Sequence, residues 1–264
     1  EARFMVVGTP SGVSLAPEGG AHQSIASPLI GMSQDGLVSF EPAFTDELAI
    51  IMEWAFDYMQ REGKGTRDER TCLHDEAGGS VYLRLSTRQL EQPARKANPR
   101  FAQDVIHGAT WLKEPGPNAE IVIAYQGTVA TEAIKAAGIL GGLRRDIGVL
   151  AVTSADRLNA GWQSALRARS KGIQQATSHI ERLLNPLPNH CQIITVIDGH
   201  PATLSWLGGV GGHKTISLGV ENFGQTGTVA DLYRHYGIDA RSIAEIGANL
   251  TIGRSFSYSK AVGF

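Results

Sequence analysis

Short apolar runs alternate with amphipathic stretches along most of the chain. RFMVV (residues 3–7) is apolar and runs into the turn residues GTPSG, which predicts a buried strand. GLVSFEP (36–42) predicts a second strand, ended by Pro42. FTDELAIIMEWAFDYMQREG (44–63) has the period of an amphipathic helix, with Thr45 or Asp46 as its cap, acids in its first turn and Gly63 at its end. KGTRDERTCLHDEAGG (64–79) is polar and predicts a loop, and SVYLRLS (80–86) a third strand. Residues 89–103 are polar, hold two prolines and show no period, so they read as a linker. Strands then follow at GATWLKEP (108–115), AEIVIAYQG (119–127), IGVLAVT (147–153), CQIITVIDG (191–199) and KTISLGV (214–220). Helices are predicted over 128–143, from Ser154, over 201–209, 228–237 and 240–250. Strands alternating with helices predict an α/β fold with a mostly parallel sheet. The polar stretch divides it into an incomplete α/β unit (1–92), a linker (93–100) and a second α/β unit (101–264).

The chain has 264 residues, enough for one large domain or two ordinary ones, and 42% of them are hydrophobic, so a sizeable core can form. A net charge of −2 gives no global field that would favour nucleic acid or an anionic membrane. No apolar run reaches the roughly 18 residues that a spanning helix needs. EARFMVV has no basic region ahead of a long apolar core, so it does not read as a signal peptide, and its immediate entry into a strand suggests a piece of a longer protein. The two cysteines, Cys72 and Cys191, give no disulfide framework and suit a reducing cytoplasm.

His22 is the leading candidate for chemistry. It follows Glu18, Gly19 and Gly20 on a loop just past a predicted strand. Loops at the carboxyl ends of strands line the ligand crevice of layered α/β folds. Glycines let backbone approach a ligand closely, and an imidazole with an ordinary pKa near ~6.5 exchanges protons at neutral pH. The plainer alternative is a loop histidine bonded to backbone. Cys72, His74, Asp75 and Glu76 are too closely spaced, with no second ligand pair, to read as a metal site, and no metal ligand is assigned. GGVGGH (208–213) follows a helix and precedes a strand, the reverse of a phosphate cradle, and reads as a flexible connection.

With these segments laid out, the chain resembles the C-terminal part of thiamin diphosphate enzymes of the transketolase superfamily. EGGAHQS resembles the superfamily's EDGxTHQ loop, with Glu18, Gly20, His22 and Gln23 in matching places and Gly19 where an Asp is usual. GLVSFEPAFTDELAIIMEWAFDYM, VLAVTSADRL and SLGVENFGQTGTVADLYRHYGID resemble, in order, segments of the decarboxylating component of homodimeric bacterial pyruvate dehydrogenases. Asp198, Gly199 and Asn222 mimic the spacing of the superfamily's Gly-Asp-Gly…Asn metal motif, but Ile197 replaces its first glycine, so Asp198 is read as the cap of the helix that follows.

The resemblance implies a complete enzyme of three domains. The first, which holds the diphosphate and Mg²⁺, has no counterpart here. The pyrimidine-binding domain is represented by its later half, with the cofactor-activating Glu upstream of Glu1. Thiamin diphosphate and Mg²⁺ are therefore expected in the intact enzyme and not in this chain alone. His22 would hydrogen-bond the 2-oxo acid oxygen that gains charge, with Glu18, Gly20 and Gln23 beside it, before a two-carbon unit passes to a lipoyl group on an acyltransferase core. LRLSTRQ resembles the LSRQ of transketolase itself, which would make Arg88 a sugar-phosphate ligand. FEPAFTDELAIIM favours pyruvate dehydrogenase, and a non-catalytic assembly module is the further alternative. The superfamily's shared active site implies a homodimer, with Phe223, Tyr233 and Tyr236 as the exposed aromatics at its interface.

Overall fold

A computed structural model describes residues 2–9, 11–95, 99–143 and 146–251. Among them, two sheets carry the chain. The first has the order β1-β3-β2, all parallel, formed by β1 (Met5–Gly8), β2 (Leu37–Phe40) and β3 (Ser80–Arg84). The second has the order β4-β6-β5-β7-β8, from β4 (Ala109–Lys113), β5 (Ile121–Gln126), β6 (Ile147–Val152), β7 (Gln192–Ile197) and β8 (Thr215–Leu218). Only the β4–β6 pairing is antiparallel. The helices are α1 (Ser27–Ser33), α2 (Thr45–Tyr58), α3 (Pro99–His107), α4 (Ala130–Gly142), α5 (Ala155–Ser170), α6 (His179–Leu184), α7 (Ala202–Ser205), α8 (Gly208–Gly211), α9 (Val229–His235) and α10 (Ala240–Leu250). The α/β, mostly parallel architecture is as the sequence predicts.

The second sheet shows why its strands read so clearly. Helices cover both faces, so every residue of β5, β6 and β7 is buried. Ile121, Ile123 and Tyr125 point into one core layer with Ala133, Leu140 and Ile243, while Val122 and Ala124 point into the other with Leu158, Ile180 and Leu204. Parallel strands end at one edge of the sheet, and there Asp198 follows β7 and Thr153 follows β6.

Four expectations need correction. RFMVV does form a strand, but not a buried one. β1 is an edge that pairs only with β3, and Val6 and Val7 stay exposed. The linker is part helix. α3 begins at Pro99, and its Val105 is buried in one core with Phe40, Ile51, Ala55 and Leu83 of the first unit. Residues 96–98 of the expected linker lie outside the described residues, as do 252–264 of the second unit. Neither Thr45 nor Asp46 caps α2. Glu47, one turn in, instead accepts from the N–H groups of Ala43 (2.9 Å) and Phe44 (3.2 Å), and Arg95 neutralises it at 2.9 Å. The helix ends at Tyr58, and Gly63 lies in the following loop, its N–H bonded to the Glu76 carbonyl at 2.8 Å. No helix among the described residues is long and apolar enough to cross a membrane.

Candidate functional site

Residues 12–23 leave the first sheet as two consecutive 3₁₀ turns, Gly12–Glu18 and Gly20–His22. No local side chain caps the first turn. The Gly12 N–H donates to Ser24 Oγ at 3.2 Å, and the next two are met from the second unit: Asp198, which follows β7, accepts from Val13 (2.7 Å) and Ser14 (2.9 Å). Asp198 is thus a helix cap, but of this distant turn rather than of α7. Gly12 is required there, because it sits at φ +61° and a Cβ would come within 2.2 Å of the Asp198 carboxylate. The Tyr233 hydroxyl also donates to Asp198, at 3.2 Å, and is 3.2 Å from the Thr128 hydroxyl, which donates in turn. Burial pushes the Asp198 carboxyl above its ordinary value, against the opposing pull of Arg84 and of these donors.

Arg84, the last residue of β3, ties the same junction together. Its guanidinium is buried and donates to the Glu41 carboxylate, to Ser27 Oγ (2.9 Å), and to the carbonyls of Ser24 (2.8 Å) and Asp198 (2.7 Å). Glu41 also accepts from Gln126 at 2.9 Å, and burial raises its carboxyl, with Arg84 and Gln126 opposing. Sequence reasoning missed Arg84 and Glu41. Their only signal was a charge at the carboxyl end of two adjacent parallel strands, where apolar runs give way to polar residues.

The far end of the loop is fixed by Gln23. Its buried amide donates to the Gln225 carbonyl at 2.8 Å and accepts from the Gly224 N–H at 3.2 Å. Gly20 lies against the same segment, where a Cβ would meet the Gly224 carbonyl at 2.2 Å. Glu18 and His22 are exposed. The structure therefore brings Gly20 and Gln23, which flank His22, against Gly224 and Gln225, the residues that follow Phe223, itself 63% exposed. Of the other expected interface residues, Tyr236 reaches the same segment and Tyr233 does not. Tyr233 is only 2% exposed, held inside its own chain by Asp198 and Thr128, so it belongs to no surface patch. Tyr236 is half-buried, and its hydroxyl donates to the Asn222 carbonyl at 2.8 Å. Arg88 stands over the Tyr233 ring, 5.1 Å from its centre, and 3.8 Å from Glu132.

The metal implied by the resemblance does not fit Asp198 and Asn222. Both oxygens of the Asp198 carboxylate are engaged by this chain, and Asn222 is an exposed loop residue. What the arrangement offers is an imidazole on a short loop pinned at both ends, a geometry suited to holding a proton donor towards a ligand.

Similar folds occur in transketolases. The transketolase of Campylobacter jejuni matches with a TM-score of 0.64 at 17% identity, over 93% of this chain and 31% of its own. The transketolase of Pichia stipitis in complex with sedoheptulose 7-phosphate matches with a TM-score of 0.65 at 16% identity, over 96% and 32%. The fold is transketolase-like. The chain spans about a third of the length of these two enzymes. A split-gene transketolase in an inactive β4 tetramer matches with a TM-score of 0.56 at 17% identity, over 95% of this chain and 67% of its own. No protein-family model and no curated protein sequence matches the chain.

Proposed function

We propose that the chain is the later portion of a thiamin diphosphate-dependent decarboxylating component of a 2-oxo acid dehydrogenase, acting on pyruvate. In it, His22 hydrogen-bonds the substrate oxygen on which negative charge develops. The observation that supports this reading is the Gln23 clamp, which holds the loop carrying the exposed His22 against the segment that follows the exposed Phe223. A histidine needed at a site shared between subunits belongs on such an exposed loop. The cofactor and its Mg²⁺ are held by polypeptide outside this chain, since Asp198 and Asn222 do not form the metal anchor. The transfer partner is a lipoyl acyltransferase core, and the compartment is the cytoplasm. The pyruvate assignment rests on the resemblance of residues 36–59.

A transketolase acting on sugar phosphates is the second reading. It is favoured by the similar structures and by Arg88, whose guanidinium lies 3.8 Å from the Glu132 carboxylate. The two readings part in one assay. The chain is assembled with its cofactor-binding portion and offered pyruvate with an electron acceptor, or a ketose phosphate with an aldose phosphate. The proposal expects release of CO₂ from pyruvate, and Arg88→Ala to leave that rate nearly unchanged. Ketol transfer without CO₂ release, lost in Arg88→Ala, would replace the pyruvate reading with the transketolase one.

A further inference from the structure

We propose that Asp104, His107 and His179 form a binding site for a divalent transition-metal ion of the zinc type. Asp104 and His107 stand one turn apart on α3, so both project from one face. His179 opens α6 and reaches them from the second unit. One ligand atom from each residue lies within 4.8 Å of the other two. The two imidazole rings are 5.3 Å apart and inclined at 67°, and His179 Nε2 is 3.9 Å from the Asp104 carboxylate. Ligand atoms on a tetrahedral zinc ion sit about 3.3 Å apart, given bonds of about 2.0–2.1 Å. Side-chain rotation of roughly an ångström draws the three into that range.

The chemistry of the set selects the ion. Two imidazoles and a carboxylate suit zinc and its neighbours, whereas Mg²⁺ and Ca²⁺ call for oxygen donors. With His179 Nε2 donating to the Ala109 carbonyl at 2.8 Å, the lone pair left for an ion is on Nδ1, and the Nε2 hydrogen bond fixes the ring from its other nitrogen. The buried cation nearest His107, Arg157, is neutralised by Asp75 through bonds of 2.9 and 2.6 Å. Arg100, 3.7 Å from Asp104, is largely exposed and free to turn away. His107 also lines an open cavity of about 540 Å³ beside Trp54 and the 66–76 loop, so one member of the set borders solvent-accessible space. Because α3 packs in the first unit's core and α6 in the second's, a bound ion would clip the two units together.

The test uses the full chain stripped with a chelator. Co²⁺ is titrated in while its visible absorption is followed, Zn²⁺ is then added in competition, and Mg²⁺ serves as a control. The expected result is one Co²⁺ per chain, displaced by Zn²⁺ and unaffected by Mg²⁺. His107→Ala and Asp104→Asn should each weaken binding by about tenfold or more. His235→Gln, on the exposed face of α9, should bind as the parent does. Circular dichroism shows which variants fold, and Asp104→Asn, isosteric with the parent, decides the matter should His107→Ala not fold. Zn²⁺ should raise the melting temperature of the parent and not that of Asp104→Asn. No saturable one-to-one binding in the parent, or equal affinity in the folded variants, would overturn the proposal.

Discussion

Asp156 is a carboxyl whose surroundings work against its charge. Its Oδ2 accepts from the Ser39 N–H at 2.9 Å, and burial pushes its pKa up to about 6. Between about pH 4 and pH 6 the unfolded chain ionises this group while the folded chain keeps its proton. The folded state then binds more protons, so stability falls as pH rises through that window and levels off above it. Asp156→Asn keeps an acceptor for Ser39 and removes the ionisation. It is expected to raise stability at pH 7 on the order of 2 kcal/mol and to change little at pH 4. Urea unfolding at the two pH values measures this, and a less stable variant at pH 7 would contradict it. Arg84 presents the opposite case, a buried charge met on every side. Neither environment can be read from a single position, because each depends on residues brought in from the other unit.

The loop of residues 12–23 is an element made by long-range contacts. GVSLAPE has no 3.6-residue period, and the carboxylate that caps it lies 185 residues away in sequence. Sequence reasoning therefore singled out His22, Gly20 and Gln23 but not the long-range contacts that hold the loop. The same limit hid α3, whose apolar face amounts to little more than Phe101 and Val105 and finds its partners on α2 and β3. β1 misled in the other direction, since an apolar run reads as buried whether it is central or at an edge. β5, β6 and β7 were legible because short, mostly apolar runs bounded by turn residues suit a strand covered on both faces. Gly20→Ala tests the loop as an element. Its Cβ would force the two segments apart at Gly224, so amide exchange at 222–226 should quicken while that of β5 and β7 stays slow. Unchanged exchange at 222–226 would show that the contact does not hold the loops together.

At the scale of the whole molecule, the exposed pieces are the ones that sequence alone could least place. The chain spans about a third of the Campylobacter jejuni and Pichia stipitis transketolases, and Phe223, next to the segment clamped by Gln23, stands in solvent. A second copy covering Phe223 would give a two-fold dimer, so light scattering at micromolar concentration is expected to report twice the mass of one chain. Phe223→Ser should shift it towards the monomer, and a monomeric parent would end the interface reading. The central claim is that His22 serves a reaction across that surface. It is tested most directly by the turnover of His22→Ala with pyruvate in the enzyme assembled with its cofactor-binding portion, alongside cofactor affinity. The account predicts a loss of roughly 10²–10³-fold in kcat with cofactor affinity nearly unchanged. Turnover equal to the parent's would contradict it and leave His22 an ordinary loop histidine.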